Sequence, residues 1–294
     1  MERKMKISKK ILSVLLIGGL LLASMGCTDT TEKTTVTEER TVAETTKAEE
    51  DKETVAETTE ATEAAEEDKP TGTKDPTKLV MGTNAAFPPF EMVEGTEIVG
   101  IDPEVMALIA EEMGLELEIK DMEFESLPMA LRNGEIDIIG AGMTIKPDRE
   151  ETMSFSTPYY DASQTIIVLK DAGYASLEDI TDKAIGVQTG TTGHDVAETV
   201  TASGSIKAFA SGMLAVEALK NGEVEAVIID NNPANVYFEQ NADRFVLIES
   251  AFDNEAYAYA VQKGNADLLD QVEAALATIK EDGRFAQVVS KYIS

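Results

Sequence analysis

Two residues of opposite charge, Arg149 and Asp230, stand just beyond two stretches of this 294-residue chain that nearly repeat one another. The first stretch is Ala130-Leu131-Arg132-Asn133-Gly134-Glu135-Ile136-Asp137-Ile138-Ile139, and the second is Ala218-Leu219-Lys220-Asn221-Gly222-Glu223-Val224-Glu225-Ala226-Val227. A guanidinium offers two parallel donors that match a carboxylate, and a carboxylate pairs with an ammonium. Set across a cleft, the two suit a ligand carrying both charges, such as a free amino acid. By residue type alone Arg149 fits a surface pair with Glu150 or Glu151 at least as well, and Asp230 fits a turn after a strand. Between them lies Gly190-Thr191-Thr192-Gly193 at the start of a helix, where free amide groups attract an anion. The lysine that a nucleotide phosphate loop requires is absent there.

The copied stretches read as the last turn of a helix, an Asn-Gly stop, and a strand too apolar to face water on either side. Two similar α/β lobes follow from that, and in open α/β sheets ligands bind beyond the carboxyl ends of the strands. Gly142 and Thr144 fall at one such end, and Gly142 has no side chain to block a ligand's approach to the backbone. The first lobe opens with a strand at 79–83. A helix follows with Asp102 as N-cap, Pro103 in its first turn and Gly114 as stop. Further strands are expected at 115–119 and around Ile136, with a helix from about Leu127 between them. The second series predicts strands at 164–169, 184–187 and 206–209, helices from Thr191 or Thr192 and from Ser211, and a strand ending at Asp230. A strand at 257–261 and helices from about Asp267 and Gly283 complete the chain. Phe90 and Phe155 read as core residues, Glu91 and Asp102 as caps or surface charges that could also contribute to the site, and His194 as an exposed first-turn residue.

The first 27 residues stand apart. Five basic residues precede an apolar run from Ile11 to Ala23, which looks like a secretory signal and is short for a membrane span. It ends at Ser24-Met25-Gly26-Cys27, which resembles a bacterial lipobox, although Ser24 departs from the usual larger aliphatic residue. Cys27 is the only cysteine, so no intramolecular disulfide can form, and a diacyl anchor there would hold the chain at a membrane surface. Residues 28–78 are rich in Thr, Glu, Ala and Lys, repeat TVAETT and EEDK, and contain no aromatic residue. They bury too little apolar surface to offset their ordering entropy, and read as a disordered stalk spanning on the order of 40 Å. The net charge of −30 argues against nucleic acid or an anionic membrane face as partner.

GTNAAFPPFE (82–91), GIDPEV (100–105), ALRNGEIDIIGAGMTIKPDRE (130–150), FSTPYYDASQTIIV (155–168), GVQTGTTG (186–193) and AVIIDN (226–231) resemble the polar amino-acid-binding proteins of ABC importers, the extracellular solute-binding proteins of family 3. The resemblance covers 79–294. It implies an α/β fold of two Rossmann-like lobes joined by a two-crossover hinge, the type II periplasmic-binding-protein or Venus-flytrap architecture. Lobe one would run over 79–160 and 257–294 and lobe two over 161–256, with crossings near 159–163 and 255–257.

For the site, the resemblance implies Arg149, Thr191 and Thr192 on the ligand α-carboxylate and Asp230 on its ammonium. Phe87 and Phe124 would sandwich the aliphatic part, with Gly142 and Thr144 beside them. Asn84 and Gln188 are the polar candidates for the far end of the ligand. Relatives that take cationic ligands often carry an acidic residue at the place of Asn84.

The function implied is a lipid-anchored, monomeric receptor on the outer face of the cytoplasmic membrane. It would hand a polar or charged L-amino acid to a permease and its ATPase, without catalytic residues, cofactor or metal. Two rivals share the fold: a sensor or adhesin, and a cyclohexadienyl-dehydratase-like enzyme. The lone histidine and single cysteine argue against the enzyme.

Overall fold

The computed structural model describes residues 72–248 and 252–293. The expected signal, Cys27 and most of the stalk lie outside them. Lobe one begins with β1 (Lys78–Thr83), followed by a small antiparallel sheet of β2 (Ala86–Phe87), β3 (Glu91–Glu94) and β4 (Glu97–Val99). Helix α1 (Ile101–Met113) comes next, then β5 (Glu116–Asp121), α2 (Leu127–Arg132), β6 (Ile138–Ile139), α3 (Pro147–Thr152) and β7 (Met153–Phe155).

The ten-residue β8 (Tyr160–Leu169) carries the chain into lobe two. That lobe contains β9 (Ile185–Gln188), α4 (Thr192–Val200), β10 (Ile206–Phe209), α5 (Gly212–Lys220), β11 (Ala226–Asp230), α6 (Asn231–Gln240) and β12 (Phe245–Ile248). The chain returns through β13 (Asn254–Tyr257) to β14 (Ala260–Gln262), α7 (Ala266–Glu281) and α8 (Arg284–Tyr292) in lobe one.

Each lobe has its own sheet, in the order β5-β1-β6-β14-β7 in the first and β10-β9-β11-β8-β12 in the second. The two crossings run side by side and antiparallel, with Ser163 opposite Asn254 and Tyr160 opposite Tyr257. The expected single strand at 257–261 is broken, because Tyr257 pairs with the outgoing crossing whereas Ala260 pairs with Ile139 and Phe155 of the first sheet.

The two copied stretches fold alike. Gly134 and Gly222 have φ of 66° and 73°; each donates its N–H to the carbonyl three residues back, Leu131 or Leu219. Glu135 and Glu223 then reach back to Ala130 and Ala218, so both helices end in the same left-handed glycine cap. The strands that follow are buried on both faces, as their composition requires. Helix α1 buries Ile101, Val105, Met106 and Ile109 in the lobe-one core, which α7 also enters with Leu268, Val272, Leu276 and Ile279.

Three readings are corrected here. Asp102 is not the cap of α1: Gly100 holds that place, and the Asp102 carboxylate turns inward, fully buried. The stalk does not extend to Lys78, because residues 72–78 are held against lobe one. Asn265 accepts from Gly72 N (3.0 Å) and donates to Gly72 O (2.8 Å), and Asp137 accepts from Lys74 N (3.0 Å) and Val80 N (2.9 Å). His194 is half-buried rather than exposed, in the first turn of α4.

Asn265 also caps α7 by accepting from Leu268 N at 3.3 Å. Asn265→Ala removes cap and clamp together, and is expected to cost about 1–2 kcal/mol in urea unfolding and to open the chain near Gly72 to limited proteolysis.

Candidate functional site

Arg149 lies in the short helix α3, yet its guanidinium folds back under the 140–144 turn and is only 7% exposed. Nη1 donates to Thr144 O (2.7 Å) in its own lobe and Nη2 to Gly190 O (3.0 Å) in the other. The guanidinium carbon sits 5.4 Å from the centre of the Phe124 ring. No carboxylate among the described residues comes within 4.0 Å of it, so the cation is held by carbonyl dipoles in contact, with Asp148, Asp195, Glu255 and Asp230 acting on it from farther away. Burial draws its pKa below the ordinary arginine value.

Asp230 ends β11 and is 5% exposed. It accepts from the Tyr257 hydroxyl and has no cation as partner among the described residues. Burial, and next to it the charge of Glu255, push its carboxyl up to about 7, against the hydrogen bonds of Tyr257 and Gln164. A buried guanidinium and a buried carboxyl, each without an ion-pair partner in contact among the described residues, therefore flank one space.

That space is a cavity of about 310 Å3, partly open to solvent. The two amides Asn84 and Gln188, the two rings Phe87 and Phe124, Gly142, Thr144, Arg149, Thr191, Thr192 and Asp230 all line it, and Ala141 joins them. Every ligand-contact candidate taken from the sequence is thus brought to one place. Gly142 has φ 53°, and a Cβ there would lie 2.8 Å from Phe87 Cε1, so the turn and the close approach both require glycine. Asn84 and Gln188 bond to each other across the cleft, Gln188 Nε2 donating to Asn84 Oδ1 at 2.9 Å. Asn84 Nδ2 donates onward to Met122 O.

Two carboxyls lie behind the cavity wall. Asp102 Oδ2 accepts from Gly142 N (2.9 Å) and from the Tyr159 hydroxyl (2.8 Å) and so holds the glycine turn from beneath. Glu91, 1% exposed, sits beside it and is neither a cap nor a surface charge. Burial raises Asp102 to about 6, while burial and then Asp102 itself push Glu91 well above the usual carboxylate range.

Sequence reasoning missed Glu255, on the return crossing. It accepts from the hydroxyls of Thr144 and Thr192 and from Gln164 Nε2. A carboxylate in the run Phe252-Asp253-Asn254-Glu255 carries no local signal, since its partners lie in both lobes.

Two α/β lobes on a double crossing, with a charge-lined cavity at their strand ends, define a type II periplasmic binding protein. The chain belongs to the bacterial extracellular solute-binding proteins, family 3, whose pattern matches residues 79–294. Among its relatives is the arginine-binding extracellular protein ArtP of Bacillus subtilis, 33% identical over 221 residues, which span 74% of this chain and 86% of that one. A solved ancestral arginine-binding protein bound to arginine is 36% identical, with a TM-score of 0.71 over 74% of this chain and 99% of the other. The arginine-, lysine-, histidine-binding protein ArtJ of Geobacillus stearothermophilus is 34% identical, also at 0.71, over 74% and 95%.

Carboxyls whose pKa is higher folded than unfolded bind more protons in the folded state, so their contribution to stability falls as pH rises. For Asp230 and Asp102 that loss runs from about 4 up to about 7 and about 6 respectively. Urea unfolding of the ligand-free protein across that window is expected to show it, and Asp230→Asn to remove the Asp230 share.

Proposed function

We propose that the protein is an extracellular receptor that captures a polar or charged L-amino acid and delivers it to an ABC permease and its ATPase. The observation that carries this reading is the pair of buried ionisable groups without an ion-pair partner in contact, Arg149 and Asp230, on opposite lobes of one cavity. Leaving such charges unpaired is costly, and a zwitterion completes both at once. Phe87 and Phe124 exclude water and strengthen the two charge contacts. The open form would take ligand on lobe one, and the contacts of Asp230 and the start of α4 would then favour closure. Arginine is the first ligand to test, given the relatives described above and the flat aromatic walls that suit a guanidinium.

The receptor would perform no chemistry of its own, in keeping with relatives that are solute-binding transport proteins. The expected lipid anchor at Cys27 belongs to the same proposal and places the receptor on the outer face of the cytoplasmic membrane. A sensor or adhesin would use the same folded part, and a neighbouring kinase gene in place of permease and ATPase genes would favour it.

A thermal-shift screen of the twenty amino acids, cystine and ornithine is expected to single out one ligand class. A ligand at a hundred times its dissociation constant adds about 2.7 kcal/mol of stability, and a panel without any shift rejects the reading. Arg149→Ala is expected to weaken binding by about 2–5 kcal/mol by calorimetry, because its removal leaves the ligand carboxylate without its charged partner. Binding that needs an ionised Asp230 is expected to hold above about pH 7 and to weaken by up to about tenfold per unit below it. Calorimetry at several pH values checks the slope, which Asp230→Asn should abolish.

A further inference from the structure

A hydroxyl has one hydrogen to give, and the three threonines that line the cavity have each given theirs to the protein. Thr144 Oγ1 donates to Glu255 Oε2 at 2.6 Å, and Thr192 Oγ1 donates to the same oxygen at 2.7 Å. Thr191 Oγ1 donates to Gln188 O at 2.9 Å and accepts from His194 N at 3.3 Å. Gln164 Nε2 bonds the other oxygen of Glu255 at 3.0 Å and Thr192 Oγ1 at 3.1 Å, which fixes the carboxylate from a third side. On the cavity side these hydroxyls therefore present lone pairs only. Lone pairs welcome an ammonium and oppose a carboxylate.

We propose that Glu255 is a positioning residue that sets the polarity, and hence the ligand orientation, of the amino-acid site. It draws the hydroxyl hydrogens of Thr144 from lobe one and Thr192 from lobe two onto one oxygen, so that Thr144 joins Asp230 in accepting from the ligand ammonium. The proposal rests on the amino-acid-binding reading above and refines it. The ligand carboxylate is left to the remaining N–H groups of Arg149 and to the backbone of the first turn of α4. There the amides of Thr192 and Gly193 have no acceptor among the described residues. Thr191 and Thr192 thus serve the carboxylate through backbone rather than hydroxyl groups. Because Glu255 stands on the return crossing and grips both lobes, the same bonds that orient the hydroxyls also hold the cleft closed around them.

Glu255 also acts through charge. The groups that face Asp230 and carry or exchange protons are Glu255 and Tyr257 on the crossing, with Glu91 and Arg149 in lobe one. Of these, Glu255 contributes most after burial to raising Asp230. Replacing Glu255 by its neutral isostere lets Asp230 ionise at lower pH, whereas a part played in packing alone would leave that midpoint where it is.

The test is calorimetry on the full chain and on Glu255→Gln, with Thr144→Val as a second variant that keeps the shape and removes one acceptor. L-arginine and L-glutamine are titrated beside 5-guanidinopentanoate and glutaramate, the same molecules without the α-amino group. Both variants are expected to weaken the amino acid by about tenfold or more and to leave its des-amino counterpart within about twofold. In Glu255→Gln the pH midpoint of amino-acid binding moves to lower pH. Equal losses for both members of a pair, with an unmoved midpoint, overturn the proposal and reduce Glu255 to a structural joint. An unchanged protein that binds no amino acid overturns the functional reading itself, and this inference with it.

Discussion

The structure turns on a guanidinium taken out of water with no carboxylate of the described residues in contact. Arg149 is enclosed by the carbonyls of Thr144 and Gly190 and the face of Phe124, which hold its orientation but cannot cancel its charge. Desolvating a cation in this way is expensive, and a fold tolerates it where a partner arrives from outside. Asp230 is its counterpart in the other lobe: the Tyr257 bond fixes one oxygen, while burial and the charge of Glu255 disfavour the ionised form. In the function proposed above, selection of a doubly charged ligand follows from this one electrostatic imbalance.

Aligning Asn133-Gly134 with Asn221-Gly222 brings the lobes into register. In each, the strand after the copied stretch lies beside the lobe's leading strand, Ile139 opposite Gly82 and Val227 opposite Gly186. Two residues beyond those glycines come Asn84 and Gln188, the two amides that meet across the cleft. Eight residues beyond the cap glycines come Gly142 in one lobe and Asp230 in the other. The site is thus a near-symmetric pair of strand ends made unlike by a few side chains. The bare glycine turn leaves room on one side of the cavity, and the equivalent aspartate sets a carboxyl on the other.

This explains which parts of the molecule were legible in the chain. The helix stops, the buried strands and the caps Ser211 and Thr191 depend on neighbours within a few residues, and local chemistry announces them. What depends on distant partners does not show. Asp102 looks like a cap because Pro103 follows it, yet its true partners are Gly142 and Tyr159. Helix α6 begins Asn231-Asn232-Pro233, a turn signature by residue type, and forms because Ala234 and Tyr237 find a buried seat in the core. Glu255 looks like one more acid in an acidic chain until the two lobes deliver Thr144 and Thr192 to it. Of the candidate site, the lining was readable and the layer of carboxyls behind it was not.

Both described ends of the folded part belong to lobe one: Gly72 is clasped by Asn265 at the head of α7, and α8 packs back against the same core. Among the described residues, the backbone enters and leaves lobe two along the two antiparallel crossings. Any pull exerted through the residues that precede Gly72 is therefore borne by lobe one, and no tension has to pass through the hinge. Lobe two lies outside that line of force, so the cavity between the lobes keeps its geometry however the molecule is held.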